Sequence, residues 1–297
     1  MVYSSVDALD FSLDEIPAMP LPRRVLMTTP AHFDIQYVIN PHMEDYVGAV
    51  DHETALEQWN AVQAAYTAIG FSPDILVGRA GLPDMVFCAN QSLPFLEPET
   101  GKPGIILSRM HADERKQEVP YYSDHFGIQK YRILNLVLPE SASFEGTGDA
   151  IWHPGKALLW GGYGFRTNTA AYDLIDDVLR VPIIILELKD PDFYHLDTCF
   201  CALDAETVLI CASAFTEEAL ALIRAIFPRV IEAPDHEARN GFACNAHSPD
   251  GKHVIIHDTC ETTMTILTDM GYIPIAVDTS EFIKAGGSVF CMKLMHW

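Results

Sequence analysis

Three residues that lie far apart in the chain have the types needed to build a nucleophile: a cysteine, a histidine and a glutamate. Cys291 stands in Gly286-Gly287-Ser288-Val289-Phe290-Cys291-Met292. The glycines permit a tight turn or a close approach to another group. A thiol at the edge of that short apolar stretch can meet an imidazole and a carboxylate brought from upstream, and such a set activates sulfur. The partners with fitting surroundings are His195, in Phe193-Tyr194-His195-Leu196-Asp197-Thr198, and Glu145, in Phe144-Glu145-Gly146-Thr147-Gly148-Asp149. Each has a plainer reading when taken alone. A lone cysteine in an apolar run is usually buried and inert, a lone histidine is more often structural, and a glutamate before glycine can simply cap a turn.

Other chemistries find less support. His247, His253, His257 and Asp258 lie close in sequence, but the stretch reads as a strand and no glutamate follows in the HExxH manner, so no metal site is expected. There is no GxGxxG or Walker loop. Gly161-Gly162-Tyr163-Gly164 lacks both the strand–turn–helix context and the lysine. The seven cysteines are scattered without a CxxC pair, which excludes zinc-ribbon and thioredoxin chemistry and fits a reducing cytoplasm. Cys199 and Cys201 share one face of a strand-like run and read as core.

The bulk composition narrows the partners. Lys and Arg number 19 against 41 Asp and Glu, a net charge of −22. Such a surface repels phosphate backbones and anionic lipid, so nucleic acid and membrane are poor partners, and it favours a cationic substrate. Residues 1–22 are acidic, broken by Pro17 and Pro20, and lack the basic and apolar regions of a secretory signal. They read as a lead-in draped over the body. No apolar run is long enough for a membrane span.

The elements that must position these residues alternate along the chain. Expected strands are Val25–Thr28, Ile75–Val77, Met85–Cys88, Gly104–Ser108, Ile133–Leu138, Pro182–Leu186, Val230–Glu232 and Ile273–Val277. Expected hairpins join Ala150–Trp152 to Ala157–Leu159, Cys199–Leu203 to Thr207–Cys211, and Phe242–Asn245 to His253–His257. Helical spacing runs over Glu53–Ile69, Ala112–Gly127, Thr169–Leu179, Thr216–Phe227 and Thr259–Met270. The recurring unit is hairpin, helix, strand. With no sharp linker after Leu21, residues 23–297 are expected to form one α/β domain of structural repeats, with loops converging on one central face.

At this level the chain resembles the guanidino-group-modifying enzymes. These are the arginine deiminases, dimethylarginine hydrolases and amidinotransferases of the five-bladed α/β propeller, or pentein, fold. The matching stretches follow the family order: Tyr37-Val38-Ile39-Asn40-Pro41, Leu82-Pro83-Asp84-Met85-Val86-Phe87, Glu145-Gly146-Thr147-Gly148-Asp149, His195-Leu196-Asp197-Thr198 and Gly286-Gly287-Ser288-Val289-Phe290-Cys291. Phe33 to Pro41 and Asn90 look most like the arginine dihydrolases, which take arginine to ornithine, ammonia and carbon dioxide. Dimethylarginine hydrolases carry acidic residues where this chain has Ala89 and Asn90.

The resemblance implies a cofactor-free hydrolase in which Cys291 attacks the guanidinium carbon, His195 moves protons and Glu145 holds the histidine or binds guanidinium nitrogens. Asp84 and Asp197 are the candidate carboxylates for a planar cation rich in N–H donors. Arg109 and Arg166 fall near the family's carboxylate-binding positions, where a guanidinium fork outdoes lysine. Asn40 could bond the amino-acid end, and Asn90 a neutral ureido intermediate. The implied partner is a small molecule, arginine or a derivative, and a homo-oligomer is compatible. Three other outcomes stay open on the same fold: an arginine deiminase or dimethylarginine hydrolase that stops at citrulline, an amidinotransferase, and a non-catalytic binding protein of the ribosome-associated kind, against which the charge of −22 argues.

Overall fold

A computed structural model describes residues 1–297. Five separate small sheets make up a mixed α/β fold, and four share one strand pattern. An inner strand runs antiparallel to a middle one, which is parallel to an outer one. Leu294–His296, Arg24–Thr28 and Pro73–Leu76 form one such sheet. Ser92–Leu96, Pro103–Leu107 and Arg132–Asn135 form the next. Ala150–Trp152, Leu159–Tyr163 and Ile183–Glu187 follow, with Val2–Tyr3 added in parallel at the outer edge. Phe200–Ala202, Thr207–Ile210 and Arg229–Glu232 form the fourth. In the fifth sheet His253–His257 pairs with Ile273–Val277, and a single bridge at His247 stands in for the inner strand.

Parallel neighbours need a crossover, and in every sheet a helix supplies it between the middle and outer strands. These helices are His52–Ala68, Val119–Ile128, Ala170–Leu179, Glu217–Ile226 and Glu261–Asp269. The first shows how sequence sets the packing. Asp51 accepts from Thr54 N at 3.0 Å and starts the helix. Trp59, Val62 and Tyr66 then fall on one buried face. Each such side chain contributes about 1.5–3 kcal/mol when removed from water. No helix is long and apolar enough to cross a membrane.

The hairpins expected around residues 150–159 and 199–211 are present, and Cys199 and Cys201 are buried in the core. Two expected strands are not. Residues 83–86 form a 3-10 turn, closed by Phe87 N bonding to Asp84 O at 3.0 Å; Pro83 at its start has no N–H for a ladder. Residues 243–245 form another, because Phe242 takes a left-handed φ of 52° that breaks extension. The charged stretch 112–127 divides into a 3-10 turn, Asp113–Glu118, and the helix Val119–Ile128. Ser92–Leu96 escaped sequence reading because Pro94 sits inside it, which only an edge strand tolerates.

Candidate active site

The inner strands share one more property: the chain just ahead of each carries a polar residue toward the same place. Asp84 and Asn90 precede Ser92–Leu96, and Glu145 precedes Ala150–Trp152. His195 and Asp197 precede Phe200–Ala202, Asn245 precedes the bridge at His247, and Cys291 precedes Leu294–His296. Most of them line a cleft of about 290 Å³, whose walls include Asn40, Asp84, Asn90, Arg115, Arg166, Tyr194, His195 and Cys291.

Glu145 is fully buried and its carboxylate organises one wall. Its Oε2 lies 2.6 Å from His195 Nε2 and receives Arg166 Nη1 at 3.4 Å. Its Oε1 accepts from His111 N at 2.8 Å. Burial pushes this carboxyl up, but the bond and charge of His195, with Arg166 and Arg115 behind it, outweigh burial and hold it well below the usual range. His195 and Cys291 line the same cleft with no hydrogen bond between them. That is the arrangement expected when the reacting carbon sits between nucleophile and acid–base group.

The sulfur of Cys291 is held on the opposite side. It donates to Asp197 Oδ2 at 3.2 Å and receives Asn245 Nδ2 at 3.2 Å. Asn245 also fixes the backbone around it, its Oδ1 accepting from Ser288 N at 2.9 Å and Cys291 N at 3.3 Å. Burial first, and then the Asp197 carboxylate, push the thiol well above its ordinary value. Burial likewise raises Asp197, to about 7, against the opposing pull of the Cys291 hydrogen bond and the Lys293 charge. Gly286 supplies the turn into this segment with φ of 85°, and a Cβ there would lie 2.6 Å from Tyr194 Oη.

Asp84 and Asn90 come from the 3-10 turn and the residues after it. Tyr37 Oη donates to Asp84 Oδ2 at 2.7 Å, while Asp84 Oδ1 has no partner. Burial raises this carboxyl, opposed by Arg115 and the Tyr37 bond. Arg115 Nη1 donates to Asn90 Oδ1 at 3.0 Å, which leaves the amide nitrogen unpartnered. A Cβ on Gly148 would lie 2.3 Å from that nitrogen and 3.4 Å from His195 Cγ, so only glycine lets the two approach.

Most of the residues singled out from sequence are therefore brought together. Asn40 lies on the wall, but its amide already bonds Ala285 O at 3.0 Å and accepts from His42 N at 3.0 Å. Arg166 also donates to Ile39 O and stacks over Tyr194 with its guanidinium 4.9 Å from the ring centroid. Arg109 is the exception. Its guanidinium donates to the carbonyls of Leu138, Pro139 and Glu140 at 2.7–3.0 Å and is not on the cleft wall. Its backbone pairs with Phe144, so Arg109 braces the approach to Glu145 instead of lining the site. The guanidinium that does line the cleft is Arg115, paired with buried Glu118 at 3.0 Å. Its signal in sequence was a basic residue three positions before an acid, which reads equally well as a surface helix pair. Asn245 was missed because nothing in Phe242-Ala243-Cys244-Asn245 marks an amide as functional. The histidines at 247, 253 and 257 take separate partners, Tyr66, Asp250 and Thr279.

Comparison with known proteins adds to this picture. The family model described as N,N dimethylarginine dimethylhydrolase, eukaryotic, matches residues 37–296. An N(G),N(G)-dimethylarginine dimethylaminohydrolase from Mycobacterium tuberculosis is 36% identical over 275 residues, covering 93% of this chain and 86% of that protein. The bifunctional arginine dihydrolase/ornithine cyclodeaminase ArgZ of Synechocystis is 34% identical over 273 residues. That match covers 91% of this chain but only 37% of the length of ArgZ. A crystal structure of the N-terminal domain of ArgZ, bound to substrate, superimposes with a TM-score of 0.84 at 34% identity, covering 92% of this chain and 97% of that one.

Proposed function

The chain belongs to the N,N dimethylarginine dimethylhydrolase family of guanidino-modifying hydrolases, and from that premise we propose that it hydrolyses arginine to ornithine, ammonia and carbon dioxide. The observation that carries this reading is a set of three buried polar atoms without protein partners: Asp84 Oδ1, Asp197 Oδ1 and Asn90 Nδ2. Buried polar groups are almost always bonded, so these call for a ligand. One acceptor on the cleft wall, from Asp84, and one on the carboxylate that bonds the thiol, from Asp197, suit the N–H groups of a flat cation. One donor beside His195 suits the oxygen of a ureido intermediate.

Cys291 sulfur forms a bond to the guanidinium carbon as its S–H bond breaks and the proton passes to Asp197, which returns it when the thiol is released. The C–N bond then breaks, and ammonia leaves with a proton from His195. A thiouronium-type adduct remains. His195 takes a proton from water as the water oxygen bonds to the same carbon, and the C–S bond breaks to give a ureido compound and the thiol. In the dihydrolase reading this compound stays bound, its oxygen accepts from Asn90 Nδ2, and it undergoes the sequence again. The second ammonia leaves, water displaces the sulfur to give an N-carboxy (carbamate) ornithine, and its C–N bond breaks to release carbon dioxide and ornithine. The balance is arginine and two waters to ornithine, carbon dioxide and two ammonia. Glu145 holds His195 in the orientation both transfers require. Arg166 is the cation available to the substrate carboxylate, with Asn40 nearby; the Arg115 guanidinium is held by Glu118, Asn90 and the carbonyl of Asp84.

The repeated strand pattern supports a finer architecture: five blades of a pentein propeller around this cleft, with 23–297 as one catalytic domain and 1–22 strapped along it. The family model and the mycobacterial relative favour a second reading, release of citrulline from dimethylarginine. Incubation with L-arginine and with asymmetric dimethylarginine, followed by amino-acid analysis, separates the two. Ornithine from arginine is expected. Citrulline alone, from either substrate, refutes the dihydrolase assignment.

A further inference from the structure

The segments that begin at the cleft continue into a second cavity, of about 780 Å³, which shares no lining residue with it. The chain passes from Cys291 to Lys293 and Met295, and from Asn245 to His247 and Ser248, in moving from one to the other. We propose that this cavity binds a small organic carboxylate with an apolar body, at a head-group site formed by Lys293, His247 and Ser248.

Lys293 is 2% exposed, and its ammonium has neither a hydrogen bond nor an ion pair; Nζ lies 3.1 Å from the centroid of the Phe290 ring. The Asp197 carboxylate acts on this ammonium through space but forms no ion pair with it, and a buried ammonium without a bonded anion is costly. Burial accordingly lowers its pKa to about 7. His247 uses Nδ1 on Tyr66 Oη at 2.8 Å, so its other ring nitrogen has no protein partner. Ser248 Oγ is buried and unpartnered. Three groups able to donate thus line one cavity, and none of its lining residues is acidic in a chain of charge −22.

The rest of the wall decides the body of the ligand. Trp152 and Trp297 line it, and both indole N–H groups are already bonded, to Pro94 O and Pro20 O at 2.8 Å. They therefore present carbon surface, as do Leu21 and Pro94. One cation and apolar walls match a monoanion with a hydrocarbon or aromatic body, and an amide of the same shape lacks the charge.

Phenylacetate is a suitable probe, with phenylacetamide as its neutral counterpart. Trp152 and Trp297 line the second cavity and no tryptophan lines the cleft, so quenching that is lost on Trp152→Phe reports the second cavity. Saturable quenching by phenylacetate is expected, with phenylacetamide about tenfold weaker or worse. Lys293→Met, an apolar residue of similar length, is expected to weaken phenylacetate by about tenfold or more. Ser248→Val is expected to weaken it as well and carries the test if Lys293→Met does not fold. Arg166→Gln, which removes a cleft cation, should leave it unchanged. No saturable signal up to about 10 mM, equal binding by the folded cavity variants, or loss in Arg166→Gln alone would overturn the proposal. Because the readout is binding, it stands or falls independently of arginine turnover.

Discussion

The thiol of Cys291 donates to Oδ2 of Asp197 across 3.2 Å, and the two residues are delivered by different sheets. Burial and this carboxylate both favour the protonated sulfur. Alkylation of the free protein by iodoacetamide should therefore be slow at neutral pH and rise with pH beyond the range of an ordinary thiol. Asp197→Asn should move the profile to lower pH. An unshifted profile in that variant would show that the carboxylate does not govern the thiol.

Asp197 also links stability to pH. Its folded-state pKa of about 7 lies above the usual 3.8, so the folded form binds the proton more tightly. The stabilisation is complete below the unfolded value and is lost as pH rises through about 7. Asp149, raised to about 6, and Glu118, raised to about 7, both mainly by burial, act with the same sign. His153, His247, His296 and Lys293, whose pKa values burial lowers, act with the opposite sign over the same interval. The effect of Asp197 is therefore read as a difference: relative to wild type, Asp197→Asn should gain urea midpoint as pH rises from about 5 to about 8. A difference between the two proteins that does not change over this interval would contradict the assignment.

Glu145→Gln keeps the shape beside His195 and removes the charge. It should lower kcat by about 10²–10⁴ with little change in KM, since proton transfer and not binding is impaired. Steady-state kinetics on arginine decide this, and a KM effect without a kcat effect would reassign Glu145 to substrate binding.

Asn90→Asp replaces the free donor with an acceptor. Product analysis should then show citrulline released where the parent gives ornithine. Gly148→Ala should have a related effect, because its Cβ would fall 2.3 Å from the Asn90 amide nitrogen. Ornithine as sole product of both variants would remove Asn90 from the second hydrolysis.

The two arginines expected to bind carboxylate should separate. Arg109→Ala removes three bonds to the loop carbonyls and should cost about 1–3 kcal/mol of stability while KM changes little. Arg166→Lys should raise KM by about tenfold with a smaller effect on stability. Thermal melts and kinetics on the same preparations test both, and a large KM change in Arg109→Ala would restore it to the cleft.

Much of this arrangement was legible in the residues. Strong period-3.6 patterns marked the crossover helices, and apolar β-branched runs such as Ile183–Glu187 marked the middle and outer strands. The inner strands were harder, because they are short and contain Pro94 or end the chain region at Leu294–His296. Residues announced by glycine-flanked turns, such as Glu145 and Cys291, lie at or beside the cleft as their surroundings suggested. Arg115 was not, because its role depends on a fold that buries a 3-10 turn whose sequence looks like an exposed charged helix. Arg109 was misplaced for the converse reason: nothing local reveals that three carbonyls thirty residues onward will occupy its guanidinium.

Leu294–His296 pairs with Arg24–Thr28, at the other extreme of the sequence, and Cys291 lies immediately before it. During synthesis the first sheet must wait, with its inner edge bare, until residue 296 has left the ribosome. The sulfur arrives in the same few seconds. Until then Arg24–Thr28 lacks its antiparallel partner, and the sulfur is not yet held beside Asp197.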